Sequence, residues 1–236
     1  MFIFYRLVLA HFIADFPFQT NKIFALKIKR KWGVVLHGCI IGFTSLIFLL
    51  PFLNHPKTWS LIILLTIAHT FQDKSKVIYN TQFERDNFWT FIFDEFVHLF
   101  IIILVAFNLN GLTPNMNLPC WFNSIYTNDK LIIAGIWYLL GTYTTTIAIS
   151  YIKKTFNKEY RMAPFEMPPF GLKYLGILER IAIITLVWLS GFYYVLILGV
   201  VIPSVYLCIK GKLKPLDLQL STLIAIVIGF LMQLTV

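Results

Sequence analysis

The feature that most constrains this chain is a near-unbroken succession of apolar runs, each long enough to cross a bilayer. A membrane-spanning helix needs about 20 mainly apolar residues. Eight runs meet that length or approach it: 2–19, 33–53, 58–78, 88–108, 131–152, 174–191, 193–209 and 218–236. The backbone at that depth finds no water to bond, so such runs fold as helices. The expected fold is an all-α, polytopic membrane helix bundle of about eight transmembrane helices, forming a single transmembrane domain over 1–236. Composition agrees: 58% of the 236 residues are hydrophobic and 13% charged, against about 25% charged in soluble domains. These values exclude a disordered tail, a nucleic-acid-binding domain and an ordinary soluble enzyme. Membrane lipid is the expected surrounding, with no nucleic-acid partner. The first run lacks a basic leader and carries His11 and Asp15, so it reads as a span rather than a cleaved signal. Cys39, Cys120 and Cys208 lie far apart, which points to neither a disulfide framework nor a thiolate zinc site.

The net charge of +9 is topology information in such a chain. The connections after the first, third, fifth and seventh runs carry five, three, five and three Lys or Arg, sixteen in all; the other side has only Lys57 and Lys130. The basic loops are therefore expected in the cytoplasm, with both termini outside. Two connections are long. Residues 109–130 face outward and lie on the membrane surface; residues 153–173 are cytoplasmic and broken by Pro164, Pro168 and Pro169.

Charged groups at bilayer depth are costly and mark function by default. Four of the five histidines (His11, His37, His69, His98) fall inside runs, as do the acids Asp15, Asp73, Asp94, Glu95 and Glu179. Six of these nine form three pairs at one spacing: His11/Asp15, His69/Asp73 and Asp94/His98. Four residues apart means one helix face, one turn apart. The first and third runs travel inward and read His then Asp; the fourth travels outward and reads Asp then His. All three pairs thus have the same vertical order, with each His about 6 Å deeper than its Asp. His37 and Glu179 fall near the Asp level. The pattern describes an acidic layer over a histidine layer in the cytoplasmic half of the membrane. It carries a faint duplication, the first two runs echoing the next two.

Imidazole with carboxylate suits zinc, manganese or iron. The candidate ligands are His11, Asp15, His37, His69, Asp73, Asp94 and His98, enough for one divalent metal with supporting groups or for two ions. Glu95 or Glu179 is placed to accept a proton. Lys76 and Arg180 are placed to hold an anionic headgroup at the inner surface. The expected chemistry is metal-dependent hydrolysis or transfer on a lipid or another anionic amphipathic phosphoester. A proton- or metal-ion-coupled transporter and a structural or partner-binding membrane protein remain as alternatives. Gln19 either caps the first run or joins the acidic layer. Thr142, Thr144, Thr145 and Thr146 are placed to bond helices together. His55 belongs to a solvated turn.

At these residues the chain resembles an uncharacterised bacterial multi-pass membrane family, the domain of unknown function numbered 3307. The resemblance lies in Ala10-His11-Phe12-Ile13-Ala14-Asp15-Phe16-Pro17-Phe18-Gln19-Thr20, in His37-Gly38, in His69-x-x-x-Asp73-x-x-Lys76, and in Phe91-x-x-Asp94-Glu95-x-x-His98, where the family usually has Gln at Glu95. Gly176-x-x-Glu179-Arg180 resembles a fifth motif, so the likeness runs from about residue 5 to 190. The C-terminal third departs from the pattern at Gly199–Val201 and Ser221–Thr222. The resemblance implies a bacterial inner-membrane location and supports the residue set, but it brings no activity with it.

Overall fold

The computed structural model describes residues 2–83, 86–115, 117, 119–156 and 170–236. Among the described residues the chain is helical, with no strand. The helices are α1 (Phe2–Asp15), α2 (Asn21–Lys29), α3 (Lys31–Phe48), α4 (Pro56–Phe83), α5 (Phe88–Leu109), α6 (Cys120–Thr127), α7 (Asp129–Leu139), α8 (Thr145–Phe156), α9 (Phe170–Leu189), α10 (Leu196–Ile209) and α11 (Pro215–Thr235). A π turn, Leu140–Thr144, joins α7 to α8, and a 3-10 turn, Gly191–Val195, precedes α10. Four helical stretches are long and apolar enough to cross a membrane: Phe88–Leu109, Asp129–Phe156, Gly191–Ile209 and Pro215–Thr235. The others are interrupted by the groups that make the chain unusual. α1 stops at 14 residues ahead of Pro17. His69, Gln72, Asp73 and Lys74 dilute the apolar character of α4, and Lys173, Glu179 and Arg180 that of α9.

Several sequence expectations change. The stretch after the first run is not a loop but the amphipathic helix α2, capped by Thr20, whose Oγ1 accepts from the Ile23 N–H at 3.4 Å. His55 is half-buried and bonds the Thr113 carbonyl at 2.9 Å instead of standing in solvent. The 109–130 connection contains α6, with Trp121 exposed and Tyr126 buried. The sixth and seventh runs are separate helices, because Ser190 (φ 61°) and Gly191 (φ 66°) turn left-handed between them. Of the basic-loop residues, Arg85, Lys158 and Arg161 lie outside the described residues, as do Pro164, Pro168 and Pro169. All three cysteines are free.

The chain divides into two compact units, Met1–Ile132 and Ile133–Val236. In the first, α1 packs on α3 and α5, α3 on α4, and α4 on α5, closing a four-helix ring, while α2 lies on α3. α1 is buried on most sides, Arg6 to His11 in succession, whereas α4 and α5 each bury a stripe at helical spacing. On α4 the stripe is Thr58, Ile62, Leu65, His69 and Asp73. On α5 it is Phe91, Asp94, His98, Ile102, Val105 and Leu109. The polar pairs thus sit in the same stripe as the apolar core. Arg6 closes the far end of α1: its guanidinium donates to the carbonyls of Tyr126 (3.1 Å) and Phe2 (2.9 Å) and pairs with Asp129.

In the second unit α9 packs on α11, α10 and α8, around Ile183, Ile184, Val187, Ala225, Ile228 and Met232. Most of α10 is exposed apolar surface, including Leu198, Ile202 and Ile209, as suits a lipid-facing helix.

The register of α3 against α4 depends on two glycines. A Cβ at Gly38 would stand 1.9 Å from Thr70 Oγ1, and one at Gly42 would stand 2.5 Å from Thr66 Oγ1. Small residues at such crossings let helix backbones approach closely, and here the approach sets His37 beside His69. Gly38→Val should therefore cost about 1–3 kcal/mol, as overpacking does. Thermal unfolding in detergent checks this: Gly38→Val should melt lower, and Thr70→Ala in the same chain should restore part of the loss. An unchanged melting temperature would contradict the close crossing.

Candidate metal centre

His11, His37, His69 and His98 meet four acids inside the ring. Asp15 from α1, His37 from α3 and His69 from α4 form the tightest set. Asp15 Oδ1 lies 3.0 Å from His37 Nε2 and 3.5 Å from His69 Nε2, and the two imidazole nitrogens are 3.4 Å apart. Asp73 Oδ2 stands 3.5 Å from both nitrogens. On the other side of Asp15, Oδ2 is 3.7 Å from His11 Nε2 and 3.9 Å from His98 Nδ1. His69 and His98 stack with ring centroids 4.0 Å apart. His98 Nε2 is 3.9 Å from Asp94 Oδ1. Glu95 Oε2 is 3.4 Å from His11 Nε2, and its side chain is 21% exposed. Beyond the histidines a small cavity is walled largely by Ile41, Leu65, Ile101 and Ile102.

Two lysines serve the acids. Lys27 Nζ bonds Asp73 Oδ1 at 2.6 Å with both groups buried. Lys76 Nζ bonds Asp94 Oδ2 at 2.7 Å, where Gln72 also donates to Asp94 Oδ1 at 3.4 Å. Gln19 joins the acidic layer, its amide 3.2 Å from His37 Nε2. Several buried atoms of the cluster make no hydrogen bond: His37 Nδ1, Asp73 Oδ2 and both ring nitrogens of His98. Buried polar atoms are nearly always bonded, so this concentration of unbonded donors and acceptors marks a place built for something else. Four overlapping donor groups have ligand atoms mutually within 4.8 Å: His11/His69/His98, His11/Asp15/Glu95/His98, Asp15/His37/His69 and Asp73/Asp94/His98.

Lys27 is the site residue that sequence reasoning missed, having been counted with the solvated loop charges. Its signal was the apolar Ile23, Phe24 and Leu26 after Thr20, the partly buried face of a short helix on which Lys27 also lies. Lys76, expected near an anionic headgroup, pairs with Asp94. Glu179 and Arg180 belong to the second unit and have partners there. Glu179 accepts a bond from the Ser204 hydroxyl. The Arg180 guanidinium donates to Ser221 Oγ (2.8 Å), to the Thr142 carbonyl in the π turn (3.0 Å) and to Thr146. Of the four threonines, Thr142 and Thr146 thus join helices through Arg180, whereas Thr145 bonds the Leu140 carbonyl within its own helical segment and Thr144 Oγ1 is buried without a bond.

Removing one partner of a buried ion pair costs about 3–5 kcal/mol, whereas an exposed surface change stays within about 0.5 kcal/mol. Lys27→Met should therefore destabilise strongly and Lys29→Met, on the exposed side of α2, barely. Chemical unfolding in mixed micelles compares them, and Asp73→Asn should rescue part of the Lys27→Met loss. Equal stability of the two lysine variants would contradict the pairing.

Comparison with curated proteins and with solved structures finds no match. The family described as "Protein of unknown function (DUF3307)" matches residues 3–127, more than half of the chain. The matched stretch contains every group of the cluster, from His11 to His98. It stops short of the Gly176-x-x-Glu179-Arg180 motif, so the likeness is narrower than the motifs alone implied. The chain belongs to this family of unknown function, DUF3307.

Proposed function

We propose that the chain is an eight-span membrane metalloprotein, with both termini outside and its basic loops cytoplasmic. It holds a divalent ion in the four-helix ring and uses it for hydrolysis or transfer on a lipid or amphipathic phosphoester. The observation that carries this reading is the triangle Asp15 Oδ1, His37 Nε2, His69 Nε2, with sides of 3.0, 3.4 and 3.5 Å. Donors about 2.0–2.1 Å from a tetrahedral zinc ion are about 3.4 Å apart. Three protein ligands with a fourth position open is the arrangement of catalytic rather than structural zinc. Two imidazoles with one carboxylate suit manganese or iron as well.

Charge supports the same reading. Asp15, Asp73, Asp94 and Glu95 bring four negative charges, and Lys27 and Lys76 return two, so one divalent ion neutralises the cluster. Such an ion lowers the pKa of the water it holds to about 7. The protein's own groups then have defined tasks. Asp15, His37 and His69 hold the ion; Asp73, fixed by Lys27, flanks its open side. His11, His98 and Asp94 complete the donor set. Glu95, part-exposed and beside His11, accepts the proton. Lys76, with its side chain 16% exposed, keeps positive charge near the mouth, where a phosphoester would enter from the cytoplasmic leaflet. Ion-coupled transport is less well supported, because the walls beyond the histidines are largely Ile and Leu.

The test is metal analysis of purified protein after loading with zinc or manganese, together with hydrolysis of a fluorogenic phosphoester in micelles. Wild type should retain at least one ion per chain. His69→Ala should lose metal and activity together. Asp15→Asn should weaken metal binding without unfolding the bundle. Glu95→Gln, which installs the residue the family usually carries, should keep the metal and at most lower the rate. Metal content unchanged in His69→Ala would overturn the reading, and metal uptake into vesicles without hydrolysis would replace it with transport.

A further inference from the structure

Resting on the metal reading above, we infer that the centre is dinuclear, with Asp15 as the bridging carboxylate. One ion lies between Asp15 Oδ1, His37 and His69, and the other between Asp15 Oδ2, His11 and His98.

The two oxygens of Asp15 face different donor sets. Oδ1 is 3.0 and 3.5 Å from His37 and His69; Oδ2 is 3.7 and 3.9 Å from His11 and His98. Asp15 is common to two of the metal-capable groups, Asp15/His37/His69 and His11/Asp15/Glu95/His98. A carboxylate bound through both oxygens spans two ions about 3.5–4 Å apart, the spacing of two-metal phosphoesterase sites.

Asp73 Oδ2, 3.5 Å from the His37 and His69 nitrogens, and both nitrogens of His98 are buried without hydrogen bonds. Each half also has an acid clamped by a lysine. Lys27 holds Asp73 through Oδ1, leaving Oδ2 toward His37 and His69. Lys76 holds Asp94 through Oδ2, leaving Oδ1 toward His98 Nε2. With His98 Nδ1 on the second ion, the opposite ring nitrogen faces Asp94 Oδ1 at 3.9 Å, longer than a hydrogen bond but on the side where carboxylates orient metal-bound histidines. The halves repeat one plan across α1.

Charge then states the substrate class. Two divalent ions over a cluster of net charge −2 leave +2. An anionic phosphoester lying across both ions offsets that excess. The oxygen of the attacking water bonds to phosphorus as the ester P–O bond breaks, and its proton passes to Glu95 and from there to the leaving oxygen. A neutral ester or an amide would leave the positive charge uncompensated in the bilayer.

The experiment is a Mn²⁺ titration of the detergent-solubilised full chain with inorganic phosphate present. It is read by metal analysis after gel filtration and by electron paramagnetic resonance. Wild type should hold two ions per chain and give an exchange-coupled spectrum with half the hyperfine spacing of isolated Mn²⁺. His37→Ala and His98→Ala should each drop to one ion with an uncoupled six-line spectrum. Asp15→Asn should lose the coupling. One ion per wild-type chain with a six-line spectrum would overturn the dinuclear centre and leave the metal reading standing. No bound ion would overturn both. Two coupled ions surviving in His37→Ala would overturn the assignment of the bridge.

Discussion

Four carboxylates sit inside a ring of four helices, and the rest of the first unit answers to that fact. A charged side chain at mid-helix costs about 2.5–3.5 kcal/mol on membrane-insertion scales, and unpaired burial costs more. Asp73, fully buried, survives because Lys27 folds back from α2 to meet it at 2.6 Å. Asp94 is met by Lys76 in the same way. The two lysines leave a residual charge, and under the proposed function the histidines stand where a cation would remove it. In that proposal function and stability share one interaction, the field of the acids.

The helices are shaped to allow it. Gly38 and Gly42 bring α3 against Thr70 and Thr66 of α4, so His37 and His69 reach the same oxygen of Asp15. Gly33 lets the chain turn sharply between α2 and α3; a Cβ there would stand 2.2 Å from the Leu26 carbonyl oxygen. That turn lays α2 on α3 with Lys27 inward. The second unit handles its buried charges separately. Gly176 leaves room for the Arg180 guanidinium, 3.2 Å from where a Cβ would be, and the π turn offers the Thr142 carbonyl to it.

The all-helical class and the inward faces of α4 and α5 were legible in the sequence, from apolar run length and from the four-residue spacing of the pairs, whereas α2 and α6 were not. Apolar residues and the His/Asp pairs share one stripe on α4 and α5, so the pairs had to point into the ring. Spacing did not reveal the partners. Within-helix pairs at four residues stand 3.5–3.9 Å apart, while the shortest approach, His37 to Asp15 at 3.0 Å, joins different helices. Such contacts depend on helix crossings that no local pattern encodes. Lys27 was hidden for a related reason: a lysine in a basic segment looks solvated until α2 folds and turns it inward. Glu179 and Arg180 were grouped with the cluster by expected depth alone, which says nothing of lateral position; they belong to another unit, with serine and threonine partners.

The central proposal is a metal ion held by histidines and carboxylates inside the first unit. X-ray absorption at the metal edge of zinc-loaded protein tests it most directly. The expected first shell is nitrogen and oxygen at about 2.0–2.1 Å, with the multiple scattering of at least two imidazoles. A sulfur shell at about 2.3 Å, or an oxygen shell without imidazole scattering, would contradict it.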